Sequence, residues 1–294
     1  MSAPVAVSER ALAKTAGHIS RRAIWSRIVI GACYAAGALV ILPLALIVWH
    51  LIAKGLPALS LSFFVNMPKP VGELGGGMAN AIVGTLILVS LGALFAVPVG
   101  VGAGVYLSEF GRGRFSATVR YTADLLGGVP SIVVGVAAYG LVVIPMGGFS
   151  ALAGGVALGI LMLPTIIRST EEVVRLVPQS YREAALALGA PRWKVTQQVV
   201  IPAARAGIVT ASMLAIARAA GETAPLLFTA LGNRFWSTGL DKPIASLPVT
   251  VFDYARAPYD DWNRQAWTGA LVLVMIVTVI SAVLRLTVKR VIPR

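Results

Sequence analysis

The sequence has very little of the residues that build disulfides, metal sites and catalytic triads. It contains one cysteine, Cys33, and two histidines, His18 and His50, among 294 residues. A single cysteine excludes a disulfide within the chain and a cysteine-based metal site. The two histidines are too few and too far apart to support a metal site or a triad. An enzyme acting within the membrane therefore has no support among the motifs.

Charged residues are also scarce, whereas apolar residues are abundant. Charged residues make up 13% and hydrophobic residues 57% of the chain, compared with about 25% and 45–50% in soluble domains. Apolar runs of about 20 residues are long enough to cross a bilayer. The composition thus predicts an all-α polytopic membrane protein. No small-residue cleavage site follows a short apolar core near the N-terminus, so we expect the first run to be retained as an anchor.

About six stretches are long and apolar enough to span the membrane. They cover approximately residues 28–53, 80–107, 121–145, 149–167, 207–231 and 267–288. We expect a membrane domain over residues 28–288, with tails at 1–27 and 289–294. Two glycine motifs within the runs, GVGAG at 100–104 and GVALG at 155–159, predict close approach between helices.

The net charge of +13 is better explained by membrane orientation than by nucleic-acid binding. Most of the 25 lysines and arginines fall on one set of connecting segments, which places both termini and the 168–206 loop in the cytoplasm. No nucleic-acid partner is expected, and the chain is expected to be surrounded mainly by membrane lipid. The outer loop at 232–266 is rich in aromatic and acidic residues. We expect it to form short interfacial helices or to meet an external partner, and the alternative is a plain aromatic belt beside the membrane.

The cytoplasmic loop contains the stretch EAALALG at 183–189 between two strongly apolar runs. Ser180 followed by Glu183 predicts a capping box at the start of a helix. Gly189 predicts a left-handed residue at the end of that helix, and Pro191 predicts the first turn of a second one. A solvated surface loop would explain the cap and the glycine. The small, alanine-rich helix is better explained as a segment that fits a groove on another protein.

The spacing in this loop resembles the pattern E-A-A-x3-G-x9-I-x-L-P, the cytoplasmic signature of ABC-importer permease subunits. The matching positions are Glu183, Ala184, Ala185, Gly189 and Pro202. Val199 and Ile201 replace the usual isoleucine and leucine. In that family the resemblance implies a coupling helix, which docks into a groove of an ATPase subunit.

Three further stretches are similar to the PstA family of phosphate permeases. They are LLGGVPSIVVG (125–135), LMLPTIIRSTEEVVRLVPQSYREAALALGA (161–190) and IARAAGETAPLLFTALG (216–232). The resemblance extends from about residue 20 onward and implies a type I ABC importer permease (MetI-like) fold. It also implies a PstC-like permease subunit in a heterodimer, a PstB-like ATPase dimer and a PstS-like phosphate-binding protein. ATP and Mg²⁺ would bind that ATPase, and no cofactor is expected here, because the chain has no G-x-x-x-x-G-K-[ST] loop.

Arg218 and Glu222 are charges inside the fifth predicted span, one helical turn apart on the same face. At about 1.5 Å per residue, Arg218 lies about 16 Å along that span, near the middle of a hydrocarbon core of about 30 Å. A charge there costs about 2.5–3.5 kcal/mol. Either the two side chains only pair and hold helices together, or Arg218 binds phosphate and Glu222 orients it.

Three other polar residues are candidates near the path. Arg168, at the inner end of the fourth span, is either an ordinary cytoplasmic charge or a second phosphate contact. Asp124 is expected to pair with Arg168, Arg120 or a partner subunit. Thr223 is a candidate hydroxyl donor. The sequence therefore predicts a permease subunit of an ATP-driven phosphate importer. The alternatives are a permease for another oxyanion, such as sulfate or molybdate, and a secondary transporter without an ATPase.

Overall fold

The computed structural model describes residues 9–73, 75–237 and 239–290, and the side-chain surroundings of residues 25–283 within these ranges. The described residues are mostly helical, and an isolated bridge between Leu231 and Ile244 is their only strand-like feature. The predicted all-α fold is confirmed. Helix α1 (Glu9–Gly55) begins within the predicted N-terminal tail. Residues 1–8 of that tail and 291–294 of the predicted C-terminal tail lie outside the described residues.

Five helices in the described part of the chain are long and apolar enough to cross a bilayer, and a bent pair makes six if it counts as one span. The five are Trp25–Ala58, α3 (Ala79–Glu109), α7 (Ala151–Arg175), the run Arg192–Ala220 and α13 (Asp260–Arg290). This agrees with the prediction of about six spans. The fourth predicted span is longer than expected, because α7 continues beyond its apolar part.

Helices α3 and α7 pack against each other more extensively than any other pair of described elements. Glycines on both helices allow this approach. A Cβ atom added to Gly100 would lie 2.7 Å from Ile166 Cγ2, and one added to Gly155 would lie 2.6 Å from Leu91 Cβ. Small residues permit such backbone contact in lipid, where van der Waals packing drives helix association. The close approach predicted from the two glycine motifs is confirmed.

The third predicted span, 121–145, is not one straight helix. Helix α4 (Gly113–Gly128) and the segment Ser131–Met146 are bent by 107° relative to each other. This segment consists of α5 (Ser131–Ala138), a π turn (Tyr139–Val143) and α6 (Ile144–Met146). Pro130 causes the break, because it has no N–H to donate and disfavours helical backbone at the preceding residue. Val129 is accordingly extended, with ψ of 131°.

The fifth predicted span, 207–231, is interrupted as well. Helix α10 (Ile201–Ala220) ends at Gly221, and α11 (Ala224–Thr229) follows with Pro225 in its first turn, a favoured position. Towards the N-terminus, α10 is continuous with a π turn (Thr196–Val200) and α9 (Arg192–Val195). Arg218 therefore lies in the last turn of a helix rather than in the middle of one.

The 168–206 loop forms the helix that its sequence predicts, but with a different start. Helix α8 (Gln179–Ala187) follows Pro178 directly and has no side-chain cap. The predicted Ser180–Glu183 capping box is wrong, because Pro178 sets the helix start and places Ser180 inside the first turn. Gly189 has a φ of +83°, which confirms the left-handed residue after the helix. Pro191 precedes α9 as its cap.

The predicted outer side carries two short helices, α2 (Leu61–Val65) and α12 (Leu247–Arg256). The Tyr254 ring on α12 stacks on Trp262 with 4.4 Å between the centroids, and the Arg234 guanidinium lies 5.4 Å from the Trp262 centroid. Burial raises the pKa of Tyr254, an effect that the charge of Arg234 partly offsets. Tyr254 is therefore neutral at physiological pH. A short aromatic helix in this loop is confirmed, whereas an external partner stays a prediction.

Candidate functional site

The Arg218 side chain, a cation on α10, is largely exposed in this structure of the single chain. Ala215 and Ala219, on the other faces of α10, are buried in the core. The Arg218 side chain is 66% exposed, on the face where Leu214 is exposed too. The helix dipole stabilises a cation at this end by about 0.3–1 kcal/mol, which offsets only part of the cost of a charge within a bilayer. The guanidinium therefore needs a water-filled path, a partner or a ligand.

The Glu222 carboxylate faces Arg218 without a hydrogen bond to it. Arg218 Nε and Glu222 Oε1 are 3.9 Å apart, which is longer than a hydrogen bond. Glu222 is mostly buried in the break between α10 and α11, and its backbone N–H donates to Ala219 O. The pair is thus a loose ion pair, and the N–H groups of Arg218 remain able to bind an anion.

Thr223, next to Glu222, is the residue before α11, and its carbonyl oxygen accepts a hydrogen bond from the Leu227 N–H at 3.2 Å. Helix α11 packs against α5 where Gly135 provides space, since a Cβ there would lie 2.6 Å from Pro225 Cα. Helix α5, in the second half of the bent span, therefore packs directly beside the break between α10 and α11. Three of the four predicted path residues lie around this break.

Arg168, the fourth predicted path residue, lies in a separate cluster and is paired with two carboxylates. Its Nε is 2.8 Å from Asp124 Oδ1, and its Nη1 donates to Glu171 Oε2 at 3.1 Å. Of the three partners expected for Asp124, the structure shows Arg168. An anion that binds Arg168 would have to compete with both carboxylates.

Glu171 is the centre of that cluster, and sequence reasoning missed it. Its side chain is 1% exposed and accepts hydrogen bonds from three arginines. The donors are Arg120 Nε at 2.6 Å, Arg168 Nη1 at 3.1 Å and Arg175 Nη2 at 2.5 Å. A buried carboxylate is tolerated only when it is paired and hydrogen-bonded in this way. The spacing of Arg168, Glu171 and Arg175 on one helical face was the available signal.

The alanine-rich motif is presented at the surface. Helix α8 has no fully buried residue, and Glu183 and Ala184 are exposed. Ala185 packs partly against a small core of valines. Large apolar side chains are exposed along the same loop, namely Leu176, Tyr181, Leu186, Leu188 and Trp193. Such a concentration of exposed apolar side chains is typical of an interaction surface.

Pro202 lies apart from that surface, in the first turn of α10 after the π turn Thr196–Val200. The π turn changes the local hydrogen-bond pattern, so the missing N–H of the proline interrupts the helical run without ending it. Four of the five predicted coupling residues therefore belong to α8 and its C-terminal turn, and Pro202 belongs to the span that follows.

Among the described residues, no group of three or more histidine, cysteine or carboxylate side chains could hold a metal ion. A basic cleft of about 340 Å³ lies beside α8, between the ends of α3, α7 and α9. The arginines that line it are Arg112, Arg175, Arg182 and Arg192. Guanidinium groups suit an anion rather than a metal cation.

Comparison with known proteins gives a family match and several relatives. The family described as "Binding-protein-dependent transport system inner membrane component" matches residues 96–294. The phosphate transport system permease protein PstA of Yersinia pestis is 45% identical over 240 residues, which cover 81% of each chain. The protein of the same name from Haemophilus influenzae is 41% identical over 89% of this chain and 93% of its own. The probable PstA of Methanocaldococcus jannaschii is 34% identical over 92% and 96%.

The fold also resembles a solved structure. A chain of the MetNI methionine ABC transporter, in an inward-facing conformation, superposes with a TM-score of 0.62 at 21% identity. The match covers 72% of this chain and 95% of that one. The predicted type I ABC importer permease (MetI-like) fold is confirmed.

Proposed function

The chain belongs to the family of binding-protein-dependent transport system inner membrane components, among its PstA phosphate permeases, and we propose that it is the permease subunit of an ATP-driven phosphate importer. Identity to phosphate permeases over most of the chain supports the substrate. The structural observation that carries the proposal is the exposed guanidinium of Arg218 at the end of an apolar helix. A fixed cation with a planar fork of N–H groups suits phosphate.

Energy enters this subunit from a separate protein. The sequence has no phosphate-binding G-x-x-x-x-G-K-[ST] loop, so ATP and Mg²⁺ bind a PstB-like ATPase dimer and this chain holds no cofactor. The ATPase groove receives α8 through Glu183, Ala184 and Ala185, and Gly189 sets the turn after it. Closure of the ATPase moves α8 and with it the helical run that contains Pro202.

The phosphate path runs along the face that exposes Arg218. A PstC-like permease subunit covers this face in a heterodimer, so the path lies between the two subunits. Phosphate that crosses a hydrocarbon core of about 30 Å needs donors that stay charged, and a guanidinium keeps its charge at every physiological pH. Alternating access brings phosphate past Arg218 from the outer to the inner side.

A PstS-like binding protein delivers phosphate at the outer mouth, and both termini lie in the cytoplasm of a bacterial inner membrane. The distribution of lysines and arginines supports this orientation. The outer loop with α12 and the Tyr254–Trp262 stack then lies on the side where the binding protein docks.

Glu222 gives the path its preference for phosphate over sulfate. HPO4²⁻ carries a proton that the carboxylate can accept in a hydrogen bond, whereas sulfate only brings negative charge towards it. Thr223 adds a hydroxyl donor beside this carboxylate. Arg168 provides a second contact near the inner exit, where phosphate displaces it from Asp124 and Glu171.

We expect Glu222→Gln to lower the preference for phosphate over sulfate by about tenfold, because a hydrogen bond to a charged group contributes about 1.5–3 kcal/mol. Binding of both anions to the purified complex without the binding protein measures this ratio directly. Glu222→Asp keeps the carboxylate and is expected to retain most of the preference. Full transport with unchanged discrimination in Glu222→Gln would refute this role.

Substrate-stimulated ATP hydrolysis tests the proposed function. The complex is reconstituted with its binding protein and exposed to phosphate, sulfate or molybdate. Phosphate alone is expected to stimulate hydrolysis. Stimulation by sulfate or molybdate instead would assign another oxyanion. Transport by the chain purified without any nucleotide-binding subunit would indicate a secondary transporter.

A further inference from the structure

Arg182 makes the polar attachment of α8 to the membrane helices. Helix α8 has no fully buried residue, and Ala185 is only partly buried where it packs against the small apolar core, so hydrophobic packing holds α8 only in part. The Arg182 side chain is 14% exposed and pairs with Glu109, the last residue of α3, which is 9% exposed. Arg182 Nη2 donates to Glu109 Oε1 at 2.7 Å, and Arg182 Nε is 3.2 Å from each carboxylate oxygen. A bidentate arginine–carboxylate pair of this kind holds its two side chains in a defined relative orientation.

The same guanidinium also binds the end of α7. Arg182 Nη1 donates to Val177 O at 2.5 Å, and Nη2 donates to Val174 O at 3.0 Å. The last carbonyl groups of a helix lack partners within it, and a cation is favourable at that end. Arg182 therefore connects α8 to both α3 and α7 at one point.

Helix α3 continues this connection to the cluster around Glu171. Leu107 O, two residues before Glu109, accepts a hydrogen bond from Arg120 Nη2 at 2.7 Å. Arg120 Nε in turn donates to Glu171 on α7 at 2.6 Å. Arg120 belongs to α4, the first half of the bent span. The connection thus runs from α8 to Glu109, along the backbone of α3 to Leu107, and from there through Arg120 to α4 and α7.

We propose that the Arg182–Glu109 pair is the joint through which α8 moves α3 and, through Arg120 and Glu171, α4. This inference rests on the proposed function, because it requires an ATPase that drives α8. Both side chains are largely desolvated, and separating them would leave two uncompensated buried charges. Because this separation is costly, α3 is expected to stay with α8 when α8 moves. Arg182 and Glu109 are positioning residues. Without them the ATPase still closes on α8, but the membrane helices do not follow.

The first test uses Glu109→Gln and Arg182→Lys in the complete complex reconstituted in liposomes. Glutamine keeps the shape and removes the charge, whereas lysine keeps the charge and removes the fork. The amount of ATPase that stays bound in the complex, and the rate of ATP hydrolysis without the binding protein, are expected to stay within about twofold of wild type. Two rates are expected to fall at least about tenfold: phosphate uptake, and the ATP hydrolysis that the phosphate-loaded binding protein stimulates. This is the size of effect expected when one hydrogen bond to a charged group is lost.

A matched control is the pair of Arg264 and Asp261 at the start of α13. It has the same chemistry and a 2.7 Å separation, but both side chains are exposed. Asp261→Asn is expected to leave uptake and stimulated hydrolysis unchanged, because exposed ion pairs contribute little. A loss of uptake in this variant equal to that of Glu109→Gln would overturn the assignment of the joint to Arg182 and Glu109.

A covalent tether distinguishes a mechanical joint from a contact that only stabilises the fold. Glu109→Cys and Arg182→Cys are combined with Cys33→Ser, which removes the native thiol. Uptake is expected to be low in this variant and to recover when a short bifunctional thiol reagent links α3 to α8. Recovery without any link would contradict the joint.

Four further outcomes overturn the inference. They are unchanged uptake in Glu109→Gln, loss of the folded chain in that variant, loss of ATPase binding, and a tethered complex that stays inactive. Loss of ATPase binding would make the pair part of the docking surface. By contrast, a wild-type complex that hydrolyses ATP without taking up phosphate would refute the proposed function and leave the joint testable through its stimulated hydrolysis.

Discussion

Replacement of Arg218 by alanine is expected to lower phosphate uptake by about a hundredfold while the complex stays assembled. A charge near the middle of a bilayer costs about 2.5–3.5 kcal/mol, and each 1.4 kcal/mol is about a factor of ten. Without the guanidinium, the anion would carry this cost uncompensated. Uptake of labelled phosphate by proteoliposomes, divided by the amount of assembled complex, measures the effect.

Two further variants define what Arg218 contributes. Arg218→Lys keeps the charge but loses the fork that binds two phosphate oxygens, so an intermediate loss of about tenfold is expected. Arg264→Ala is the matched control, because Arg264 is 68% exposed and also paired within one helical turn. It should leave uptake intact. Loss of assembly in Arg218→Ala would mean that Arg218 holds helices together, and undiminished uptake would remove it from the path.

A carboxylate placed on the exposed surface of α8 is expected to release the ATPase and abolish uptake. Leu188 is 89% exposed just after α8, so Leu188→Asp should leave the fold of the chain unaffected. In the complex, the new carboxylate would be buried without a partner, which costs about 3–5 kcal/mol and lowers affinity more than about a hundredfold. Co-purification of the ATPase and phosphate uptake are the measurements.

Leu61 provides the control for this prediction. It is 82% exposed in α2, on the predicted outer side, so Leu61→Asp makes the same chemical change away from the ATPase. The ATPase is expected to remain bound in this variant. If both variants retained the ATPase, α8 would not be its docking surface. If both lost it, the substitution would be acting through general destabilisation.

Hydropathy is sufficient to predict that the spans are helical and that there are about six of them, because a membrane segment must satisfy its own backbone hydrogen bonds by forming a helix. The prediction of a span at 80–107 agrees closely with α3 (Ala79–Glu109). The breaks were not predicted. Pro130 and Gly221 lie within apolar runs, and an average over about 20 residues does not register a backbone interruption. The break at Gly221 matters most, since it places Arg218 at a helix end.

The sequence predicts site residues only where a charged residue lies within an apolar span. Arg218 and Glu222 stand out because ionisable residues are rare within spans. Glu171 and Arg182 do not stand out, because charges are common in the segment that is predicted to lie in the cytoplasm. Their burial depends on side chains from other helices, such as Arg120 and Glu109, which a linear sequence does not bring together. Local motifs also mislead, as Ser180 does beside the helix start set by Pro178.

Accumulation of labelled phosphate in proteoliposomes that contain this chain, its partner permease, the ATPase and the binding protein measures ATP-driven phosphate transport directly. We expect phosphate to accumulate above its external concentration. This accumulation should require ATP, be unaffected by excess sulfate and disappear with Arg218→Ala. Equal accumulation without ATP, or accumulation of sulfate in place of phosphate, would contradict the proposed function.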